Sequence, residues 1–191
     1  MPRFSHKNVN DCSLYWYCVN SGDSRTILIK RPVDGGSQTD YGRSRTRRNS
    51  VKFSTLDHRP SERLEQDRIE TAGAKVEIGR VAGDLAVSRA LGDFQYKMYP
   101  NVEHTDQPVS CIPDVTVLER DFKLDEFLIL GCDGVFDVLM NNELALVVKA
   151  VFAETEDISE TTANILNLCL EKGSEDNMTL IGKVSRSMSI N

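Results

Sequence analysis

The chain has 191 residues, of which 40% are hydrophobic and 27% are charged, and its formal net charge is −6. A chain of this size can bury a hydrophobic core, which excludes disorder as the dominant state and predicts one folded domain. Its longest apolar run, FLILGC at 127–132, falls far short of the ~20 residues of a membrane-spanning helix, and its polar amino terminus predicts no secretory signal. We therefore expect a cytoplasmic protein that does not enter the membrane.

The amino-terminal part predicts a β-hairpin. Two runs of β-branched and aromatic residues, 14–19 and 25–29, flank a cluster of turn-forming residues at 20–24. Trp16 alternates with two tyrosines along the first run, which predicts a strand that packs one face into the core.

A basic stretch follows the hairpin. Between Lys30 and Lys52 there are seven basic and two acidic residues, interleaved with Gly, Ser and Thr, which predicts a surface loop inserted between ordered elements. Within it, RRNS at 47–50 resembles a site for basophilic kinases, so Ser50 is a candidate regulatory phosphosite. The run 43–50 is also compatible with a nuclear-localisation signal, although a solvated loop is the favoured interpretation.

A helix is predicted after the basic stretch. Ser61 is expected to cap it, and it would run to about Ala72 and stop at Gly73. Leu64 and Ile69 are expected to face the core.

The rest of the chain predicts strands and two helices without a repeating βαβ unit, which favours an α+β fold with largely antiparallel strands. Capping residues and 3.6-residue periodicity predict helices at 141–153 and 159–171, with Gly173 ending the second. The predicted strands lie at 75–87, 115–118, 127–130 and 178–184.

Carboxylates follow several of these apolar segments. In LILGCDGVFD an apolar strand ends at Asp133, and Asp137 lies four residues further on, so the two converge if the chain turns helical. Asp176 stands just before the last strand, and Asp93 follows the glycine of SRALGDF. Taken singly, each is equally consistent with a solvated turn.

A metal held by these groups would be a hard cation. The five cysteines and three histidines are scattered, without a Cys-x-x-C pair or two histidines at helical spacing, so reduced thiols are expected and zinc is not. Converging carboxylates without imidazole or thiolate ligands select Mg²⁺ or Mn²⁺.

Seven stretches of the chain resemble, in the same order, the metal-dependent protein phosphatases of the type 2C serine/threonine family. They are NSGDSR (20–25), DHRP (57–60), RIETAGAKV (68–76), LAVSRALGDFQYK (85–97), PDV (113–115), DEFLILGCDGVFDVL (125–139) and GSEDNMTLI (173–181). The resemblance implies a β-sandwich of antiparallel sheets flanked by helix pairs, with a binuclear Mg²⁺ or Mn²⁺ centre at one end.

The resemblance also implies an activity and its ligands. Asp133 and Asp176 would be ligands of the binuclear centre, and Asp93 would join Asp133 and Asp137 at a third metal position. The implied reaction is hydrolysis of phosphoserine or phosphothreonine in a phosphoprotein by a metal-activated water. The family's Asp-Gly-His-Gly segment, the acidic ligand before it and its phosphate-binding arginine have no counterpart here, so no catalytic residue is assigned.

We therefore expect residues 1–191 to form the C-terminal part of a single phosphatase domain from a longer protein, acting as a monomer. The alternative is a catalytically inactive relative that serves as a binding or scaffold module. A phosphatase of the haloacid dehalogenase type is set aside, because Val135 stands where that class needs a second aspartate. The acidic net charge and the few aromatic residues around the basic stretch argue against nucleic-acid binding.

Overall fold

The computed structural model describes residues 14–31 and 50–185. The strands in these ranges are β1 (Tyr15–Asn20), β2 (Arg25–Lys30), β3 (Val51–Ser54), β4 (Val76–Glu77), β5 (Arg80–Val81), β6 (Asp114–Glu119), β7 (Asp125–Gly131) and β8 (Leu180–Val184). The helices are α1 (Arg63–Thr71), α2 (Asp133–Phe136), α3 (Asn141–Thr155) and α4 (Ile158–Glu171). Because all pairings between these strands are antiparallel, the predicted α+β class is confirmed.

The main core lies on one face of a four-stranded sheet with the order β3-β2-β7-β8. Ile27 on β2 and Ile129 on β7 are fully buried there, and α3 and α4 cover them with Leu144, Val148 and Ile165. Full burial of such a side chain contributes roughly 1.5–3 kcal/mol. This cluster therefore holds β7, and the residues that follow it, in place.

A second sheet contains β1 and β6. Trp16 and Cys18 point inward and Tyr17 and Val19 outward, so the predicted alternation along β1 is confirmed. The Trp16 indole N–H donates to Asp125 Oδ2 at 3.0 Å, which ties this sheet to the first residue of β7.

The predicted hairpin of β1 and β2 is wrong, although both strands exist. β1 pairs with β6, whereas β2 pairs with β3 and β7, so the turn at 21–24 carries the chain from one sheet to the other. Ile27, Leu28 and Ile29 are all fully buried, and a strand covered on both faces takes a central place with two neighbours.

Helix α1 has the predicted end but a different start. It begins after Glu62, whose side chain makes no capping hydrogen bond, so the predicted Ser61 cap is wrong. Gly73 follows the helix with a φ of +92°, the left-handed conformation that stops a helix.

The inward face of α1 was predicted correctly in part. Ile69 is fully buried, but Leu64 is 80% exposed. Glu65 faces the interior instead, because Arg68 and Arg89 neutralise its carboxylate there.

The segment 75–87 forms only the short strands β4 and β5 and not one longer strand. Between β4 and β5, Ile78 and Gly79 both have a positive φ, so the chain reverses direction in a tight turn. Val81 packs with Ile69, Tyr96 and Val109 in a second, smaller core.

The carboxyl-terminal elements follow the prediction closely. β6 and β7 contain the predicted strands at 115–118 and 127–130, and α3 starts at the predicted residue, although Met140 before it makes no side-chain cap. Asp157 caps α4, accepting from the Ser159 N–H at 2.7 Å. Gly173, with a φ of +87°, follows that helix as predicted.

Most of the predicted basic loop, residues 32–49, lies outside the described residues. At its ends, the Ser50 carbonyl accepts from the Lys30 N–H at 2.8 Å. The cysteines in the described part of the chain are free thiols. No helix within 14–31 and 50–185 has the length and apolar character to cross a membrane.

Candidate functional site

Asp133 stands where the main sheet ends. It is the first residue of α2, directly after Cys132, and its Oδ1 accepts from the Gly134 N–H at 2.9 Å. The chain does turn helical here, and the Asp137 N–H donates to the Asp133 carbonyl at 2.8 Å. The predicted condition for Asp133 and Asp137 to share one side of a turn is therefore met.

A second loop, 174–179, packs against this turn. The Ser174 hydroxyl donates to the Gly134 carbonyl at 2.7 Å. The Cys132 thiol donates to the Asn177 carbonyl at 3.3 Å, and the Thr179 N–H donates to the Cys132 sulfur at 3.2 Å. The Cys132 N–H also donates to the Thr179 carbonyl at 3.2 Å, so four hydrogen bonds join the loop to residues 132–134.

The contact leaves no room for a side chain at Gly134. A Cβ there would lie 2.8 Å from the Asn177 carbonyl oxygen and 3.2 Å from the Asp176 Cβ. The structure therefore packs the loop at Asp176 and Asn177 against Gly134, the residue that follows Asp133.

Asp23, in the turn after β1, is the carboxylate that sequence reasoning missed. Burial raises the pKa of Asp23, the charges of Asp133 and Asp57 raise it further, and Arg59 partly offsets them. Asp23 was interpreted as part of a hairpin turn. The sequence feature that made Asp133 a candidate site residue, a carboxylate next to a glycine just after a strand, is also present at Asp23.

Two arginines border these carboxylates. Arg25 holds Asp57 through two hydrogen bonds of 2.7 and 2.9 Å, and it also donates to Asn141 Oδ1 at 2.6 Å. Arg59 reaches both Asp57 and Asp137, at 3.3 and 3.2 Å. These residues line a pocket of 610 Å³ that opens beside α2.

Asp93 lies on a different segment of the chain. It is exposed, with a φ of +49°, at the start of a short 3₁₀ turn between β5 and β6. Its predicted part in a third metal position stays a prediction.

The described carboxylates fit part of a Mg²⁺ or Mn²⁺ site and do not complete one. Asp133 and the loop with Asp176 supply hard oxygen donors on two segments that pack together at Gly134, and burial, followed by the charges of Asp133 and Asp57, raises the pKa of Asp23. Yet residues 14–31 and 50–185 contain no group of three or more acidic, His or Cys side chains arranged around one ion. The ligand roles of Asp133, Asp137 and Asp176 therefore stay predictions.

A buried ionic cluster supports the turn that bears Asp23. Glu65 is 4% exposed and accepts from Arg89 at 2.7 Å, from Arg68 at 2.8 Å and from the Ser88 hydroxyl at 2.5 Å. Burial raises the pKa of Glu65, but the hydrogen bonds of Arg89 and Ser88 and the charge of Arg68 outweigh burial and lower it to about 2. Glu65 is thus ionised at neutral pH and links α1 to the segment 88–89.

Comparison with known proteins shows the family. The family model described as protein phosphatase 2C matches residues 6–178, so the chain belongs to that family. It is 42% identical to human protein phosphatase 1A over 165 residues, which are 86% of this chain and 39% of the human protein. It is 46% identical over 162 residues to protein phosphatase ppm-1.A of Caenorhabditis elegans, covering 85% of this chain and 31% of that protein.

A solved structure has the same fold. A phosphatase from a pathogenic strain of Toxoplasma gondii matches with a TM-score of 0.77 at 28% identity, covering 91% of this chain and 49% of that one. The chain thus spans less than half the length of each of these three proteins.

Proposed function

We propose that the chain provides the C-terminal part of a Mg²⁺- or Mn²⁺-dependent protein phosphatase that hydrolyses phosphoserine and phosphothreonine in phosphoproteins. Membership of the protein phosphatase 2C family supports the reaction class. The observation that supports the proposal is the packing of the loop with Asp176 against Gly134, the residue after Asp133, at the end of the main sheet, with Asp23 close enough to Asp133 for their charges to interact.

The residues of this chain would have two kinds of role in this reaction, metal binding and charge balance. Asp133 and Asp176 would hold a divalent ion, and Asp23, Asp137 and the predicted Asp93 are further candidates. The ions would supply Lewis-acid activation of a water molecule and neutralise the charge of the phosphate. Arg59 would fix Asp57 and Asp137 by its two ion pairs and so limit the repulsion among the carboxylates.

One observation favours the alternative of an inactive binding module. The described residues do not assemble three acidic side chains around one point, and a binuclear centre requires more donors than a pair of carboxylates can supply. In this alternative the fold and the pocket beside α2 are kept for binding, without turnover.

A Mn²⁺ titration separates these functions. Mn²⁺ binding is measured from the decrease of the electron paramagnetic resonance signal of free Mn²⁺. Turnover is measured as phosphate release from a phosphothreonine peptide. Both assays are done on the chain and on its Asp133→Asn and Glu175→Gln variants. Glu175 is the matched control, because it is an exposed acid on the same loop as Asp176. We expect Asp133→Asn to weaken Mn²⁺ binding at least about tenfold and Glu175→Gln to leave it unchanged.

Equal Mn²⁺ binding by the chain and by Asp133→Asn would show that Asp133 is not a ligand. Mn²⁺ binding without phosphate release would support the inactive module. Phosphate release that depends on Mn²⁺ and on Asp133 would support the phosphatase.

A further inference from the structure

His58 is bound to the turn that carries Asp23 on two sides. It is 3% exposed, in the loop between β3 and α1. Its ring Nδ1 accepts from the Gly22 N–H at 3.1 Å, and its own backbone N–H donates to the Gly22 carbonyl at 3.0 Å. One residue thus satisfies both backbone polar groups of Gly22, the neighbour of Asp23.

The partners of the ring assign its tautomer. Since the Gly22 N–H can only donate, Nδ1 is the acceptor and the proton of the neutral ring lies on Nε2. Nε2 faces Asp114 Oδ2 at 3.2 Å, and the other oxygen of Asp114 accepts from Arg89 at 2.8 Å. Arg89 is in turn held by Glu65. The ring is therefore oriented from both ends.

We infer that His58 is a positioning residue that keeps the turn bearing Asp23 next to Asp133 by holding the Gly22 backbone. The inference rests on the proposed function, because it assigns His58 a role in the same metal site. β2 pairs antiparallel with β7, with Arg25 opposite Gly131, so the turn that bears Asp23 lies across from Asp133 and its position depends on how the backbone at Gly22 is held. Gly22 has a φ of +112°, which few residues adopt, and its hydrogen bonds to His58 secure that conformation.

The fold explains why the support comes from this loop. Asp57, which precedes His58, forms an ion pair with Arg25 at the start of β2. Asp57 and His58 therefore bind the two ends of the segment 22–25. The Ser88 N–H donates to the His58 carbonyl at 2.9 Å and links the loop to the Glu65 cluster. The turn is thus connected through His58 and Ser88 to the buried Glu65 carboxylate and its arginines.

Two amide variants of His58 separate the hydrogen bond made by Nδ1 from the one made by Nε2. In His58→Asn the side-chain oxygen lies near the place of Nδ1 and can accept from the Gly22 N–H, whereas the bond to Asp114 is lost. In His58→Gln the side-chain nitrogen reaches the place of Nε2 and can donate to Asp114, whereas the acceptor for Gly22 is lost. The variants are matched in polarity and differ in which bond they keep.

The readouts are amide hydrogen exchange at Gly22 and Mn²⁺ binding by the full chain. We expect His58→Asn to keep slow exchange at Gly22 and Mn²⁺ affinity within about threefold of the unmodified chain. His58→Gln should exchange Gly22 at least about tenfold faster and bind Mn²⁺ about 10–100-fold more weakly. The inference is overturned if His58→Gln matches the unmodified chain, or if both variants lose Mn²⁺ affinity equally.

A measurement on the unmodified chain covers the case in which a variant does not fold. The ¹⁵N shifts of the His58 ring should show a protonated Nε2 and an accepting Nδ1, and a proton on Nδ1 would overturn the inference. If the unmodified chain binds no Mn²⁺, the proposed metal site fails, and the Gly22 exchange then reports separately whether His58 holds the turn.

Discussion

Replacing Glu65 by glutamine should remove a pH-dependent part of the stability of this fold. The pKa of Glu65 is lowered from 4.5 to about 2 by Arg89, Ser88 and Arg68, which outweigh the opposing effect of burial. A carboxylate whose folded pKa is depressed stabilises the protein above its unfolded pKa, and that contribution is lost as the pH falls toward its folded pKa.

The structure sets the size of the effect. A shift from 4.5 to about 2 corresponds to ~3 kcal/mol at pH 7, at about 1.4 kcal/mol for each pKa unit. Because the Glu65 side chain is only 5% exposed, solvent screens this contribution little. At pH 3, between the unfolded and folded values, less than half of it should remain, on the order of 1 kcal/mol.

The assay is urea denaturation of the unmodified chain and of Glu65→Gln at pH 7 and at pH 3. Glu70→Gln is the control, since Glu70 is an exposed carboxylate on the same helix. The stability difference between Glu65→Gln and the unmodified chain should shrink by more than half at pH 3, while Glu70→Gln should stay near the unmodified chain. A difference for Glu65→Gln that is the same at both pH values would refute the reasoning.

Three further changes test the packing and the site. Gly134→Ala should cost about 1–3 kcal/mol, because its Cβ would lie 2.8 Å from the Asn177 carbonyl oxygen; an unchanged urea midpoint would contradict the contact. Asp23→Asn should stabilise the metal-free chain at pH 7 but not at pH 3, because burial and then the charges of Asp133 and Asp57 raise the pKa of Asp23, so ionised Asp23 destabilises the fold increasingly as the pH rises; a less stable variant at pH 7 would contradict the raised pKa. Leu144→Ala should cost about 2–5 kcal/mol in the same denaturation assay, whereas Leu146→Ala on the more exposed side of α3 should cost about 1 kcal/mol or less; equal losses would contradict the assigned core face.

The local elements could be predicted from the sequence because their signals are local. The apolar run of β7 and the turn glycines after α1 and α4 each act within a few residues. The position of Asp133 could also be predicted locally, because it follows the last hydrophobic residues of a buried strand. Family motifs in the printed sequence likewise pointed to the phosphatase class.

Which distant segments of the chain contact each other was decided only by the tertiary structure. Whether β1 pairs with β2 or with β6 depends on which strands are buried on both faces, and that is a property of the whole core. Glu65 displaced Leu64 from the interior because Arg89, 24 residues away, supplies its counter-charge. Asp23 lies across from Asp133 because β2 pairs antiparallel with β7, with Arg25 opposite Gly131. Charge and burial act through space, so the residues that complete a carboxylate cluster become visible only when the chain is folded.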